Sequence, residues 1–173
     1  MILRKAKPSE LPVIWEIIQY AIWQRKKDGS DQWQHGYPNE TTIQDDLDKG
    51  YAYVVTDENE GILAYAAIIF DKDMAYENIK GSWLSSGDYA VVHRIAASKE
   101  AAGKRVGRGL LLLVEELCLD KKVYSIRIDT NFDNIPMLKI LEKLDYTYCG
   151  EVQFEGPRKA FEKVLTERKP GHA

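Results

Sequence analysis

At 173 residues, with 45% hydrophobic and 29% charged side chains, the chain is long enough for one domain with its own core and too short to suggest two. Its formal net charge of −3 gives no general electrostatic reason to bind nucleic acid or an anionic membrane, so any anion must be held locally. The two cysteines, Cys118 and Cys149, lack C-x-x-C spacing, and His35, His93 and His172 are scattered singly, so neither a disulfide framework nor a metal site is indicated.

The first ten residues, MILRKAKPSE, turn charged and proline-bearing at once and read as neither secretion signal nor membrane anchor. A reducing, cytoplasmic location is the expectation. Ile2 to Ala6 is a strand candidate, and Pro8 sits where a first helical turn tolerates it. Leu11, Ile14, Trp15, Ile18, Ala21 and Ile22 recur at helical spacing and predict an amphipathic helix ending at Lys27, Asp28 and Gly29. After the aromatic loop DGSDQWQHGYPN, a short helix is predicted from Thr42 to Lys49, with Thr42 and Asp45 as caps and Gly50 as the stop. Tyr51 to Thr56 and Ile62 to Phe70, separated by DENEG, read as a hairpin.

Tyr89 to Ala97 is apolar on both faces apart from His93 and Arg94, as befits a strand at the centre of a sheet. The loop GKRVGRG and a helix carrying Leu110, Leu113, Val114 and Leu117 follow. Gly107 and Gly109 have no Cβ, so a phosphate could approach the unpaired amides of the first helical turn, with Lys104, Arg105 and Arg108 around it. Taken alone, a G-x-G reads more readily as a solvated basic turn ahead of a core helix. Strand, crossover helix, strand makes Tyr89 to Ala97 and Tyr124 to Asp129 parallel neighbours. A helix from Ile135 to Leu144 and strands Tyr146 to Glu151 and Arg158 to Leu165 close a single domain over residues 1 to 168, leaving Lys169 to Ala173 as a loose tail. Ligands settle at the carboxyl ends of parallel strands, here Arg94 to Ser98 and Asp129 to Asn131.

In element order, over nearly its whole length, the chain resembles the GNAT superfamily of acyl-CoA-dependent N-acetyltransferases. The family's phosphate loop reads Arg or Gln, two residues, Gly, one residue, then Gly or Ala; Lys104, Arg105, Val106, Gly107, Arg108 and Gly109 match it with lysine first. WQHGYPN, HRIAAS, IRIDTNFDN and PMLKILEKLDYTYCGEV are similar to those of small stand-alone bacterial members. The resemblance implies a mixed α/β fold with a splayed central pair of parallel strands, and acetyl-CoA as cosubstrate without a metal. It implies amides from Arg105 to Leu110 on the CoA pyrophosphate, and Ile95, Ala96 and Ala97 along the pantetheine arm. Asn134 matches the cofactor-side asparagine, and homodimerisation is a family expectation. Leu141 stands where many members carry the tyrosine that reprotonates the CoA thiolate, and Asp145 and Tyr146 replace the usual Gly-Phe. A different donor is implied: Tyr146, Tyr148 or water.

The family's reaction is attack of an amine on the thioester, and an alkyl ammonium must first lose a proton. His93 is the candidate base, placed by alternation on one face with Tyr89, Val91 and Ile95; Asp129 could orient it or accept the proton through water. A structural histidine tied to a backbone carbonyl is the alternative. Trp33, Tyr37, Tyr76 and Trp83 are candidate walls of a small-molecule or peptide amine pocket, or else pins for their loops. Arg158 and Lys159 read as solvated unless the substrate bears a carboxylate. A non-catalytic acyl-CoA-binding module is the second reading, and a dinucleotide-binding domain a third that lacks the full G-x-G-x-x-G turn.

Overall fold

A computed structural model describes residues 1–168; the expected loose tail lies outside them. The chain runs β1 (Ile2–Lys5), α1 (Leu11–Lys27), α2 (Glu40–Lys49), β2 (Ala52–Thr56), β3 (Ile62–Ile69), α3 (Met74–Glu77), β4 (Lys80–Gly81), β5 (Ala90–Ala97), α4 (Val106–Asp120), β6 (Ser125–Thr130), α5 (Ile135–Lys143), β7 (Thr147–Gln153) and β8 (Pro157–Val164). The strands form one mixed sheet in the order β1, β2, β3, β5, β6, β8, β7, β4. Among the described residues only β5 and β6 run parallel, because α4 carries the chain back across the sheet between them.

Each face of the sheet buries a helical stripe. Ile14, Ile17 and Ile18 of α1 and Ile43 of α2 pack on Ala52, Val54, Tyr65 and Ala96. On the opposite face Leu110, Leu111, Val114 and Cys118 of α4 and Leu141 of α5 cover Val55, Ala64, Ala66, Val92 and Ile126. Most predicted elements appear within a residue or two of their expected limits. The cap of α2 does not: Asn39, not Thr42 or Asp45, accepts the Thr42 amide, while the Thr42 hydroxyl accepts from the Asn39 amide, so the helix begins two residues early.

The long connection after β3 holds two short elements that periodicity cannot reveal, α3 and β4. Asp73 caps α3 by accepting from the Ala75 amide at 2.9 Å. β4 crosses β7 so closely that a Cβ on Gly81 would lie 2.1 Å from the Cys149 carbonyl oxygen. The connection is riveted from below. The Arg127 guanidinium lies 4.4 Å from the Trp83 ring centroid and 4.0 Å from that of Tyr89, and donates to the Ser85 carbonyl at 2.6 Å. Glu162 accepts from the Leu84 amide and from the Ser85 and Ser125 hydroxyls.

β5 carries the irregularity that makes a site. Ala67 pairs with His93 and Tyr65 with Ala96, so Ala66 alone faces both Arg94 and Ile95. That is a β-bulge, and Arg94 adopts φ 55° to make it. β5 touches β6 only at Ala90↔Ile126 and Val91↔Arg127, and the two strands then diverge. The extra residue also reverses the alternation. Ile95 therefore packs toward α4 with Val92, not beside His93 as strict alternation predicts.

Candidate active site

The gap between β5 and β6 is a cavity of about 270 Å³, lined by Val92 to Ala97 on one side and Ile128 to Thr130 on the other. Arg25 of α1, Trp33 and Tyr37, Gly107 at the start of α4, Asn134 and Met137 at the start of α5, and Phe154 and Arg158 complete it. Beyond Val91 the edge of β5 that faces β6 has no strand partner, so its main-chain donors and acceptors are free for an extended amide-bearing ligand. Ile95, Ala96 and Ala97 all lie on this stretch.

The anion end is the first turn of α4. Arg105 precedes the helix at φ 52°, ψ 38°, and no side chain caps it. The Gly109 amide already donates to the Arg105 carbonyl at 3.0 Å, so the amides left by helical geometry are those of Arg105, Val106, Gly107 and Arg108. The expected cradle from Arg105 to Leu110 is thus shorter by two residues, since Gly109 and Leu110 stand inside the helical ladder. The Lys104 amide is likewise spent on the Ala101 carbonyl. Gly107 faces the cleft, and an added Cβ would meet only the tip of Ile140 at 3.2 Å; at Gly109 it would meet the Met1 thioether side chain. The side chains of Lys104, Arg105 and Arg108 are exposed around this turn. Four uncapped amides, a bare glycine and three free cations suit a diphosphate. Asn134 reaches the cleft as the cap of α5: its Oδ1 accepts from the Met137 amide at 3.4 Å and from Arg25 at 2.9 Å.

At the other end His93, 7% exposed, lies between two carboxylates. Its Nε2 is 3.2 Å from Asp73 Oδ2, and its Nδ1 is 3.5 Å from Asp129 Oδ1. The hydrogen bond to His93 holds the Asp73 carboxyl below the usual range against the opposing effect of burial. Ionised, Asp73 can only accept, so in a neutral imidazole the hydrogen facing it sits on Nε2 and Nδ1 is the remaining basic nitrogen. Asp129 in turn accepts from the Tyr76 hydroxyl at 2.5 Å, and burial raises that phenol's pKa so that it stays a donor. Phe154, at the tip of the β7–β8 hairpin, stacks on the imidazole at 5.1 Å and meets Tyr37 edge-on at 5.6 Å. His93 is therefore tied to carboxylates rather than to a backbone carbonyl.

Of the proposed acceptor walls, Trp33 and Tyr37 line the cleft, and Tyr76 and Trp83 do not. Tyr76 is fully buried behind His93, and Trp83 donates to the Tyr76 carbonyl at 2.8 Å while stacking on Arg127. Both pin their loop. Tyr37 is fixed by Arg94, which donates to its hydroxyl at 2.5 Å and grips Asp46 through two bonds of 2.6 and 2.9 Å. Neither tyrosine named as a proton donor lines the cleft. Tyr148 lies on β7 with its ring against Phe161, and Tyr146 buries an unpartnered hydroxyl in the α4 core. Leu141 is fully buried.

Asp73 and Phe154 escaped the sequence reading as site residues. Asp73 signals only a helix cap, and Phe154 only a turn. Arg158, expected to be solvated, is 7% exposed and lines the cleft, because the face it shares with Ala160 and Glu162 is the buried one.

Residues 15–146 match the family model described as the acetyltransferase (GNAT) family. A GNAT-family acetyltransferase from Streptococcus agalactiae is 36% identical, with 96% of each chain covered and a TM-score of 0.86. A GNAT-family acetyltransferase from Listeria monocytogenes shares the fold at 19% identity and a TM-score of 0.77, over 95% of this chain and 94% of that one. So does yncA from Salmonella typhimurium, a candidate acetyltransferase described with its cofactor acetyl-CoA, at 15% identity and a TM-score of 0.67, over 100% of this chain and 98% of that one. No curated protein matches the chain in sequence. Among the described residues no helix is long and apolar enough to cross a membrane, and no group of three or more His, Cys, Asp or Glu could hold a metal.

Proposed function

The chain belongs to the GNAT family of acetyltransferases, and on that premise we propose that it moves an acetyl group from acetyl-CoA to a primary amine while both substrates are bound. The observation that carries this reading is one cleft with Gly107 of the uncapped first turn of α4 at one end, the unpaired edge of β5 along its side and His93 with Asp129 at the other end. Acetyl-CoA supplies an acyl carbon bonded to a thiolate leaving group. The amides of Arg105 to Arg108 hold the diphosphate, and the edge from Val92 to Ala97 aligns the pantetheine arm.

His93 takes the proton that the acceptor ammonium must lose. Because Nε2 is already protonated toward Asp73, the accepted proton enters at Nδ1, where Asp129 then receives the new N–H. The imidazolium so formed lies between Asp73 and Asp129, with Phe154 stacked on its face. A thiol ionises near pH 8.5, so the departing thiolate takes its proton from water in the open cleft without a dedicated tyrosine.

A thiol-release screen over polyamines, amino acids, aminoglycosides and peptide N-termini tests the reading. Saturable, acceptor-dependent CoA release supports it. Stabilisation by acetyl-CoA without release for any acceptor would instead mark a binding or sensing module, to which the absent tyrosine would cost nothing.

A further inference from the structure

We infer that Arg158 binds a carboxylate on the acceptor, so that the substrate is a small molecule bearing both an amine and a carboxylate, an amino acid or a close analogue. The inference deepens the acetyl-transfer reading of the same cleft and rests on it. Arg158, the second residue of β8, is 7% exposed and lines the cavity that also holds His93, Asp129 and Phe154. Among the described residues it has neither an ion pair nor a side-chain hydrogen bond.

Arg94 and Arg127, by contrast, are fully partnered. Arg94 has both oxygens of Asp46 and the Tyr37 hydroxyl, and Arg127 has Glu162, the Ser85 carbonyl and two aromatic faces. The Arg158 guanidinium is permanently charged and has no counter-ion among the described residues, so an anion entering the cleft would supply one. Glu162, four residues along on the same face, is engaged by Ser85, Ser125 and Leu84, and Asp129 accepts from the Tyr76 hydroxyl. The phosphates of acetyl-CoA have their own cations at the start of α4, so the anion expected at Arg158 arrives with the acceptor.

The charge pattern also excludes. Asp73 and Asp129 around His93 favour an ammonium, while Arg158 in the same cavity favours the opposite charge, which matches a zwitterion. A polyamine would bring a second cation against Arg158 and be disfavoured. The planar guanidinium fork fits a carboxylate through two parallel bonds, which a neutral amide cannot reproduce.

The test is thiol release from the wild-type protein with the L-amino acids, their carboxamides and spermidine, repeated with R158Q, alongside the melting-temperature rise each protein shows with acetyl-CoA. The expected result is a preference of roughly a hundredfold in kcat/KM for the best amino acid over its own carboxamide, lost in R158Q mainly through KM. The acetyl-CoA rise should be equal in both proteins. Equal or better turnover of carboxamides or spermidine by the wild type overturns the inference without needing a variant, and so does an unchanged ratio in R158Q. Loss of the acetyl-CoA rise in R158Q would move Arg158 to the cofactor site and overturn it too. No release with any amino acid also overturns it. If acetyl-CoA then fails to stabilise the wild type as well, the acetyl-transfer reading falls with it.

Discussion

His93 gains its chemistry from neighbours that lie far away in the chain. Asp73 comes from the connection after β3, Asp129 from the end of β6 and Phe154 from the β7–β8 turn. His93→Ala should lower kcat by roughly 10² to 10⁴ while leaving the acetyl-CoA-dependent rise in melting temperature intact. Nearly full turnover with the best acceptor would remove His93 from the chemistry. The Asp73 carboxyl titrates below its ordinary value because of its hydrogen bond to His93. Glu162 does too: burial opposes its ionisation, but hydrogen bonds from Ser85, Ser125 and the Leu84 amide prevail. A carboxyl whose folded pKa is depressed adds stability that is complete above its unfolded value near 4 and is lost as pH falls through the folded value. The melting temperature should therefore drop steeply below about pH 4, and Asp73→Asn should flatten that slope. An unchanged slope would mean that the His93 contact does not bias Asp73. At this scale sequence reading could name His93 and Asp129, since polar residues in an apolar strand and at a parallel strand end stand out. It left Tyr76 and Trp83 between pocket walls and loop pins, and Arg158 as solvated unless the substrate bears a carboxylate, because burial of a loop aromatic or a strand arginine depends on partners that sequence does not display.

The bulge in β5 is the element on which the cleft depends, and it is held by a buried ion pair. Arg94 takes φ 55°, and its guanidinium then locks onto Asp46 of α2, which also accepts from the Tyr65 hydroxyl. Side chains 9% and 5% exposed make this a desolvated pair. Removing one partner strands the other charge, so Asp46→Ala should cost about 3 to 5 kcal/mol in denaturant unfolding. The double variant with Arg94→Met should recover much of that loss, and additive losses would contradict the coupling. Regular elements were legible because their apolar residues repeat. The stripe Leu11 to Ile22 became α1, and the both-faces apolar run became the central β5. α3 and β4 were not legible, being too short for any period to register. Neither was the reversal of Ile95, since one inserted residue flips the alternation without leaving a mark in composition.

As a whole the molecule is one mixed sheet whose single parallel junction opens into a cleft, with helices covering both faces. Element order and the G-x-G turn before a leucine-rich helix were enough to anticipate that architecture and the position of the anion cradle. They could not show that Gly109 and Leu110 lie inside the helix, because where free amides stop is decided by the first backbone hydrogen bond of the turn. The central claim is that the uncapped start of α4 and the unpaired edge of β5 together hold acetyl-CoA. A crystal structure with acetyl-CoA bound tests it most directly. It should place the pyrophosphate within hydrogen-bonding distance of the Arg105 to Arg108 amides, with the pantetheine along Val92 to Ala97 and the thioester facing His93. A cofactor bound elsewhere, or a gap between β5 and β6 left empty at saturating acetyl-CoA, would contradict it.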